Sequence, residues 1–279
     1  MTLSFRRRAI NAIMLTLTGL CTVLVAGILF IILGYLAWNG ARSLSIDFFT
    51  KLPVPVGQTG GGMANAIVGS AKVLLVALLF GVPIGFLGGV YLAEFGQGTF
   101  PSVVRYTTDL LNGVPSIVIG IFAYAVVVKS IGYSTLAGGF ALGIMMIPIS
   151  LRTTEEFLRA VPISMREGSM ALGASKTRTI FTIVIPAAKS GILSGLMLNL
   201  ARVAGETAPL LFTSFGSPYW SHGWLEPTAT LPVTIFNYAI SAYDDWHRQA
   251  WAAGFVLLTL VLSVNVAARL VINRSASHR

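Results

Sequence analysis

Long apolar runs alternate with polar segments along the whole chain of 279 residues. An α-helix needs about 20 apolar residues to cross the hydrocarbon core of a bilayer, which is about 30 Å thick. All but one of the runs reach this length, and the short one, 136–151, carries no charge. We therefore expect an all-α polytopic membrane protein with six transmembrane helices. The predicted spans are 12–38, 63–93, 103–128, 136–151, 191–214 and 250–272.

Three longer polar segments separate these runs. Residues 39–62 are rich in Gly and Pro, 152–189 carry many charges, and 215–249 hold several aromatic side chains. When Lys and Arg are counted by alternate loops, thirteen lie on the side of both termini and four on the other side. Positive residues concentrate in cytoplasmic loops. Both termini and 152–189 are therefore predicted to be cytoplasmic, and 215–249 extracytoplasmic.

Composition narrows the function classes. The chain is 55% hydrophobic and only 10% charged, whereas soluble domains average about 25% charged residues. The net charge of +9 does not indicate nucleic-acid binding, because the basic residues alternate between loops instead of forming one patch. The single cysteine, Cys21, lies in an apolar run and excludes an internal disulfide.

No catalytic constellation is visible. His222, His247 and His278 lie in loops and the tail, and no apolar run contains a histidine. The chain also has no Gly-x-x-x-x-Gly-Lys-Ser/Thr phosphate loop. We expect a transport subunit without enzymatic activity, cofactor or metal, which takes its energy from a separate ATPase.

The charged segment 152–189 predicts a helical hairpin. Ser164-x-x-Glu167 forms a capping box, which predicts a short helix that starts directly after Ser164. Gly173 suits the C-terminal end of that helix. Ser175 then opens a second helix, which runs to a bend or restart at Pro186.

This hairpin resembles a motif of permease subunits of ABC importers, which reads E-A-A-x-x-x-G, nine further residues, then I-x-L-P. The matching positions, in register over twenty residues, are Glu167, Gly173, Ile183 and Pro186. Gly168 and Ser169 replace the two alanines, and Ile185 replaces the leucine. An E-G-S version resembles the phosphate branch of these permeases.

Five further stretches resemble the same branch, the PstA family of type I, MetI-like permeases. They are GGGMANAIVGS at 60–70, GVPIGFLGGVYLAEFG at 81–96, NGVPSIVIGIFAY at 112–124, ARVAGETAPLLFT at 201–213 and TLPVTIFNYA at 230–239. The resemblance implies a bacterial cytoplasmic (inner) membrane location and ATP-driven import of inorganic phosphate.

The resemblance also implies partners. A PstC-like second permease would share the translocation path, a PstB-like ATPase dimer would receive the hairpin, and a periplasmic or lipid-anchored phosphate-binding protein would dock outside. The residues it implies for ATPase coupling are Arg166, Glu167, Gly168, Ser169, Gly173 and Ala174.

Polar side chains inside the predicted fifth span indicate a path or gate. Arg202 is eleven residues past Gly191, or ~16 Å along a helix, near the middle of the bilayer. Glu206 follows four residues later and, in a continuous helix, shares its face and pairs with it; Asn199 belongs to the same stripe. Arginine favours an oxyanion, so Arg202 and Glu206 border a translocation path. A structural ion pair that locks two subunits together is the alternative.

Other charges near the spans have simpler interpretations. Lys72 lies about nine residues into its span and is expected to extend its ammonium outward. Arg105 and Asp109, four residues apart, are expected to pair at the cytoplasmic edge.

Three alternative functions stay open. A permease of the same fold would carry another oxyanion, such as molybdate or sulfate. A secondary transporter or channel predicts inverted repeats, which the sequence does not show. An intramembrane enzyme requires a buried Ser, His or Asp pair, and no span contains a histidine.

Overall fold

A computed structural model describes residues 2–55, 57–58 and 60–276. The described part is helical, with one isolated β-bridge and no strand, so the predicted all-α class is confirmed. Arg279 and His278 lie outside the described residues. The helices are α1 (Thr2–Arg42), α2 (Ile46–Thr50), α3 (Ala64–Glu94), α4 (Thr99–Gly113), α5 (Ser116–Ala123), α6 (Lys129–Ile131), α7 (Thr135–Arg159), α8 (Ile163–Ala171), α9 (Lys176–Thr179), α10 (Ile185–Ala204), α11 (Ala208–Leu211), α12 (Leu231–Ala239) and α13 (Asp244–Ala276).

Five helices are long and apolar enough to cross a membrane, and a bent pair makes a sixth span when it is counted as one. The bent pair replaces the straight helix predicted for 103–128. Its halves, Thr99–Gly113 and Ser116–Ile131, meet at 102°. Pro115 causes the break, because it lacks an N–H and holds Val114 in an extended conformation, with φ −70° and ψ 128°.

Two further boundaries differ from the prediction. The fourth span does not stop at residue 151, because α7 continues as far as Arg159. The fifth span starts earlier than residue 191 and ends before 214. Helix α9 passes through a π-helical turn, Ile180–Val184, directly into α10, which ends at Ala204.

The start of the hairpin also differs from the prediction. Helix α8 begins at Ile163 with Pro162 at the N-cap, and no side chain caps it. The predicted capping box of Ser164 and Glu167 is therefore wrong. Ser164 already lies inside the first turn, so its hydroxyl is not at the capping position.

Close packing of α3 against α7 forms the centre of the bundle. One stripe of α3 is buried along its length, with a residue every four positions from Gly69 to Gly89. A Cβ built on Gly81 would lie 2.6 Å from the Gly143 carbonyl oxygen, and one built on Gly85 would lie 2.5 Å from Ser150 Cβ. Small residues at this spacing let two helix backbones approach closely in a membrane.

A buried cluster covers one end of this helix pair, and α1 lies at the edge of the fold. Phe48, Met63, Leu231 and Tyr238 belong to one buried cluster that joins α2, α12 and the start of α3 to α13. Helix α1 packs on α13, and its most apolar stretch has no buried residue. The inner core therefore consists of α3, α7 and α10, which position the residues described next.

Candidate translocation path and coupling hairpin

Arg202 lies beside the break between α4 and α5. It borders a narrow cleft together with Asn112 and Val114 at the break and Met145 and Ile149 on α7. The side chain is exposed in the single chain. Within the part of the chain that the structure describes, its guanidinium has no hydrogen-bond or ion-pair partner. The guanidinium of Arg202 is thus free to bind a ligand or a partner beside the break between α4 and α5.

The expected pairing of Arg202 with Glu206 is wrong. Helix α10 ends at Ala204, and Gly205 follows at its C-cap, so the two residues do not share a continuous helix face. The backbone N–H of Glu206 donates to the Val203 carbonyl in a turn. The chain then enters the short helix α11, which lies against α5. The i,i+4 relation fails because it holds only inside an unbroken helix.

Asn199 makes a contact between helices. It is 2% exposed, and its Nδ2 donates to the Met146 carbonyl at 3.1 Å and to Ser150 Oγ at 3.0 Å. Its Oδ1 is buried and has no partner among the described residues. These bonds fix α10 against α7 one turn before Arg202. Asn199 therefore positions the helix that presents the arginine.

The hairpin closes through a left-handed glycine. Gly173 has φ +86°, which favours glycine, and follows the end of α8. Ser175 caps α9, since its Oγ accepts a hydrogen bond from the Arg178 backbone N–H at 3.3 Å. A hydrogen bond of 2.9 Å between Ser169 Oγ and Thr179 Oγ1 joins the two arms. Glu167 and Gly168 are exposed, and Ala174 is partly exposed.

A groove of about 470 Å³ runs between the arms of the hairpin. Met165, Leu172 and Ile183 contribute apolar surface to it, and Leu172 is 91% exposed. The groove therefore gives the charged hairpin a small exposed apolar surface.

Arg166 has a role inside the chain. Its Nη1 donates to Glu94 Oε2 at 2.6 Å, and its Nη2 donates to the Leu158 carbonyl at 2.6 Å. Glu94 is the last residue of α3, and its side chain is only 4% exposed. Arg166 thus ties the first arm of the hairpin to α3 and α7, whereas its neighbour Glu167 remains exposed to solvent.

A charge network that sequence reasoning missed lies at the same end of the bundle. Glu155 on α7 is 2% exposed and bonds three arginines: Arg105 Nε at 2.6 Å, Arg159 Nη2 at 3.0 Å and Arg152 Nη1 at 3.4 Å. Arg152 also pairs with Asp109. The expected pair of Arg105 with Asp109 is therefore wrong, because each binds a partner on α7. The spacing Arg152-x-x-Glu155-x-x-x-Arg159 was the available signal.

Lys72 reaches the outer segment. Its Nζ donates to the Ser221 carbonyl at 2.6 Å and lies 5.6 Å from the centre of the Trp224 ring. Backbone N–H groups of Gly223 and His222 donate to the nearby Glu226 carboxylate and hold its pKa below the usual range. Lys72 thus holds Ser221 and Trp224 against the first half of α3.

The sequence is similar to known transport proteins. A protein-family model described as a binding-protein-dependent transport system inner membrane component matches residues 81–276. The phosphate transport system permease protein PstA of Yersinia pestis is 46% identical over 236 residues, which cover 84% of this chain and 80% of that protein. The chain is a PstA-family permease. The PstA protein of Xylella fastidiosa (strain Temecula1) is 42% identical to this PstA-family permease over 273 residues, which cover 97% and 95% of the two chains.

Solved structures share the fold of the PstA-family permease. A chain of a bacterial ABC transporter involved in the import of alginate has a TM-score of 0.64 at 15% identity, with 91% of this chain and 94% of that chain covered. An inward-facing MetNI methionine ABC transporter chain has a TM-score of 0.59 at 17% identity, with 76% and 96% covered. The predicted family and the type I, MetI-like architecture are confirmed. The relatives are named as transport permeases, and the family as an inner membrane component.

Proposed function

We propose that this PstA-family permease forms the path for ATP-driven import of inorganic phosphate, together with a PstC-like second permease. Its relatives of 42–46% identity are named phosphate transport system permeases, which supports this substrate. ATP hydrolysis takes place on a PstB-like ATPase dimer. A permease for another oxyanion, such as molybdate or sulfate, is the alternative.

Arg202 is the observation that carries the proposal. Its exposed guanidinium without an internal partner is costly against lipid, so this face must border water or another subunit. Broken helices commonly line substrate sites in membrane transporters, and the break at Val114 lies beside Arg202. The planar fork of arginine donates two parallel hydrogen bonds to an oxyanion. Arg202 therefore attracts phosphate in the path, Glu206 borders the same gate, and Asn199 holds α10 in place.

Coupling to the ATPase occurs through the hairpin. Its two arms present exposed residues and the apolar groove at Leu172. The salt bridge between Arg166 and Glu94 connects this surface directly to α3, and the π-helical turn connects it to α10. A push on the hairpin is thus transmitted to the helix that carries Arg202 over a short, packed distance. The ATPase-contacting set proposed from the sequence is Arg166, Glu167, Gly168, Ser169, Gly173 and Ala174.

Uptake of labelled phosphate tests the substrate. The complete operon is expressed in cells that lack other phosphate transporters, and unlabelled phosphate, sulfate or molybdate is added as competitor. We expect that only phosphate competes, and that a catalytically inactive ATPase subunit abolishes uptake. Competition by molybdate or sulfate at equal concentration would establish the alternative oxyanion instead.

The orientation needs a test of its own. We propose that both termini and the hairpin are cytoplasmic, from the distribution of Lys and Arg. After Cys21 is replaced by alanine, a cysteine at the exposed position Leu225 should react with an impermeant thiol reagent in spheroplasts. A cysteine at Ser175 should react only after permeabilisation. The reverse pattern would overturn the orientation.

A further inference from the structure

A second cleft lies on the other side of the hairpin, between its arms and the ends of α3 and α7. Its volume is about 500 Å³. We call it the α3–hairpin cleft, and it is lined by residues that include Glu94, Arg159, Arg166, Met170, Lys176 and Ile180. It does not share its charged side chains with the apolar groove at Leu172, whose lining contains Arg178.

The charge in this cleft is unbalanced. Three cations line it against one carboxylate, Glu94. That carboxylate is already used, since Arg166 Nη1 contacts both of its oxygens and its side chain is 4% exposed. Arg159 uses its Nη2 for Glu155 at 3.0 Å and for the Leu92 carbonyl at 3.4 Å, which leaves its Nε and Nη1 donors unused among the described residues. The exposed Glu156 on α7 is not among the lining residues.

Lys176 also keeps free donors. Its Nζ donates to the Glu94 carbonyl at 2.6 Å and lies 4.4 Å from the centre of the Phe95 ring. An ammonium group carries three N–H donors, so the carbonyl leaves two of them for a ligand. The arginine side chains supply the planar donor geometry that suits phosphate oxygens.

We propose that the α3–hairpin cleft binds a phosphoryl anion, through Lys176 and Arg159. The cleft lies at the end of α3, which faces the cytoplasm in the proposed orientation, and its lining also includes apolar side chains such as Met170 and Ile180. Basic pockets between transmembrane helices at this level bind anionic headgroups. A phosphorylated lipid headgroup and free phosphate share this chemistry. The bound anion touches α7 and α9 at once and clamps the hairpin onto the bundle.

Binding to the purified complex of both permeases and the ATPase dimer, without the phosphate-binding protein and with Arg202→Met, tests this proposal. That change removes the phosphate contact proposed for the path, so the result does not depend on the imported substrate. One arm uses native mass spectrometry with phosphatidylglycerol and, as the zwitterionic comparison, phosphatidylcholine. The other arm uses equilibrium binding of labelled inorganic phosphate. We expect saturable binding in one arm, which identifies the source of the anion. Lys176→Gln should weaken it about tenfold, because one charge-assisted hydrogen bond is lost.

Matched variants make the result decisive. Lys176→Arg keeps the charge and should retain binding. Lys189→Gln removes an exposed lysine outside the cleft and should leave binding unchanged. Arg159→Gln should weaken binding as Lys176→Gln does, which provides a second variant if the first is poorly folded. Equal binding by the wild type and both glutamine variants of the cleft, or an equal loss in Lys189→Gln, would overturn the proposal.

Discussion

Glu155 and Arg202 are both charged residues of the helical bundle, and they differ in burial and in the number of partners they bond. Glu155 is 2% exposed and is bonded by three arginines. Arg202 is exposed and has no partner among the described residues. A buried carboxylate with complete bonding stabilises one arrangement of helices. An unpaired arginine in an apolar region needs water, substrate or another subunit. The difference separates a charge that is satisfied within the chain from one that is available to a ligand or a partner.

The largest effect is expected at Glu155. Glu155→Gln leaves three arginines around a neutral amide, and breaking a buried ion pair on one side costs about 3–5 kcal/mol. We expect a strong fall in the amount of permease in membranes and a lower melting temperature of the purified complex. The adjacent Glu156→Gln is a matched control, because that side chain is exposed. Equal stability of the two variants would contradict a structural role for the network.

Arg202 should show the opposite profile, with normal folding and lost transport. The double variant Arg202→Glu with Glu206→Arg places a carboxylate in the proposed anion path, which costs on the order of several kcal/mol in a cavity of low dielectric constant. We expect normal membrane levels but uptake reduced by orders of magnitude. Arg202→Lys should retain part of the activity, because the charge remains while the planar fork is lost.

The control for this experiment is the amount of assembled complex, measured by co-purification of the second permease. The two residues do not pair in the structure, so the exchange restores no contact within the chain. Wild-type uptake by the double variant would show that Arg202 has only a structural role.

The sequence predicts the apolar helices well, but it predicts the contacts of the charged side chains poorly. The apolar runs locate five long helices and a bent pair, because a helix that crosses a bilayer needs about 20 apolar residues. The break of the third span is signalled by Pro115, but no local pattern gives its angle of 102°. The sequence did not predict the ion-pair network at Glu155, because Arg105 is fifty residues away from Glu155 in the chain. Pairing over that distance follows from the packing of α4 on α7, which no local pattern encodes.

The error at Glu206 has a local cause that the sequence does contain. Gly205 is a frequent helix terminator, and Pro209 follows four residues later. These two residues end the helix at Ala204, so the predicted continuous helix through residue 214 is wrong. In contrast, Gly173 and Ser175 were assigned correct local positions, since a left-handed glycine and a serine N-cap follow from local geometry alone.

Gly173 sharpens the comparison at the hairpin, where internal and external contacts meet. With φ +86°, most other residues cost about 1–2 kcal/mol in backbone strain, although a Cβ there meets no atom within 4 Å. We expect Gly173→Asp to reduce both phosphate uptake and co-purification of the ATPase several-fold. Gly216→Asp is the control, since Gly216 has φ +87°, equal space for a Cβ and a place outside the hairpin. Equal ATPase recovery from both variants would contradict the docking role.

The smallest effect is expected at Lys72, whose ammonium already has partners within the chain. Lys72→Met removes one hydrogen bond to the Ser221 carbonyl and a contact with the Trp224 ring, which together stabilise by about 1–2 kcal/mol. We expect a small fall in melting temperature and uptake close to that of the wild type. Arg202→Met serves as the comparison and should abolish uptake at an unchanged melting temperature. Loss of uptake in Lys72→Met as complete as in Arg202→Met would place Lys72 in the path and remove the distinction between internally paired and free charges.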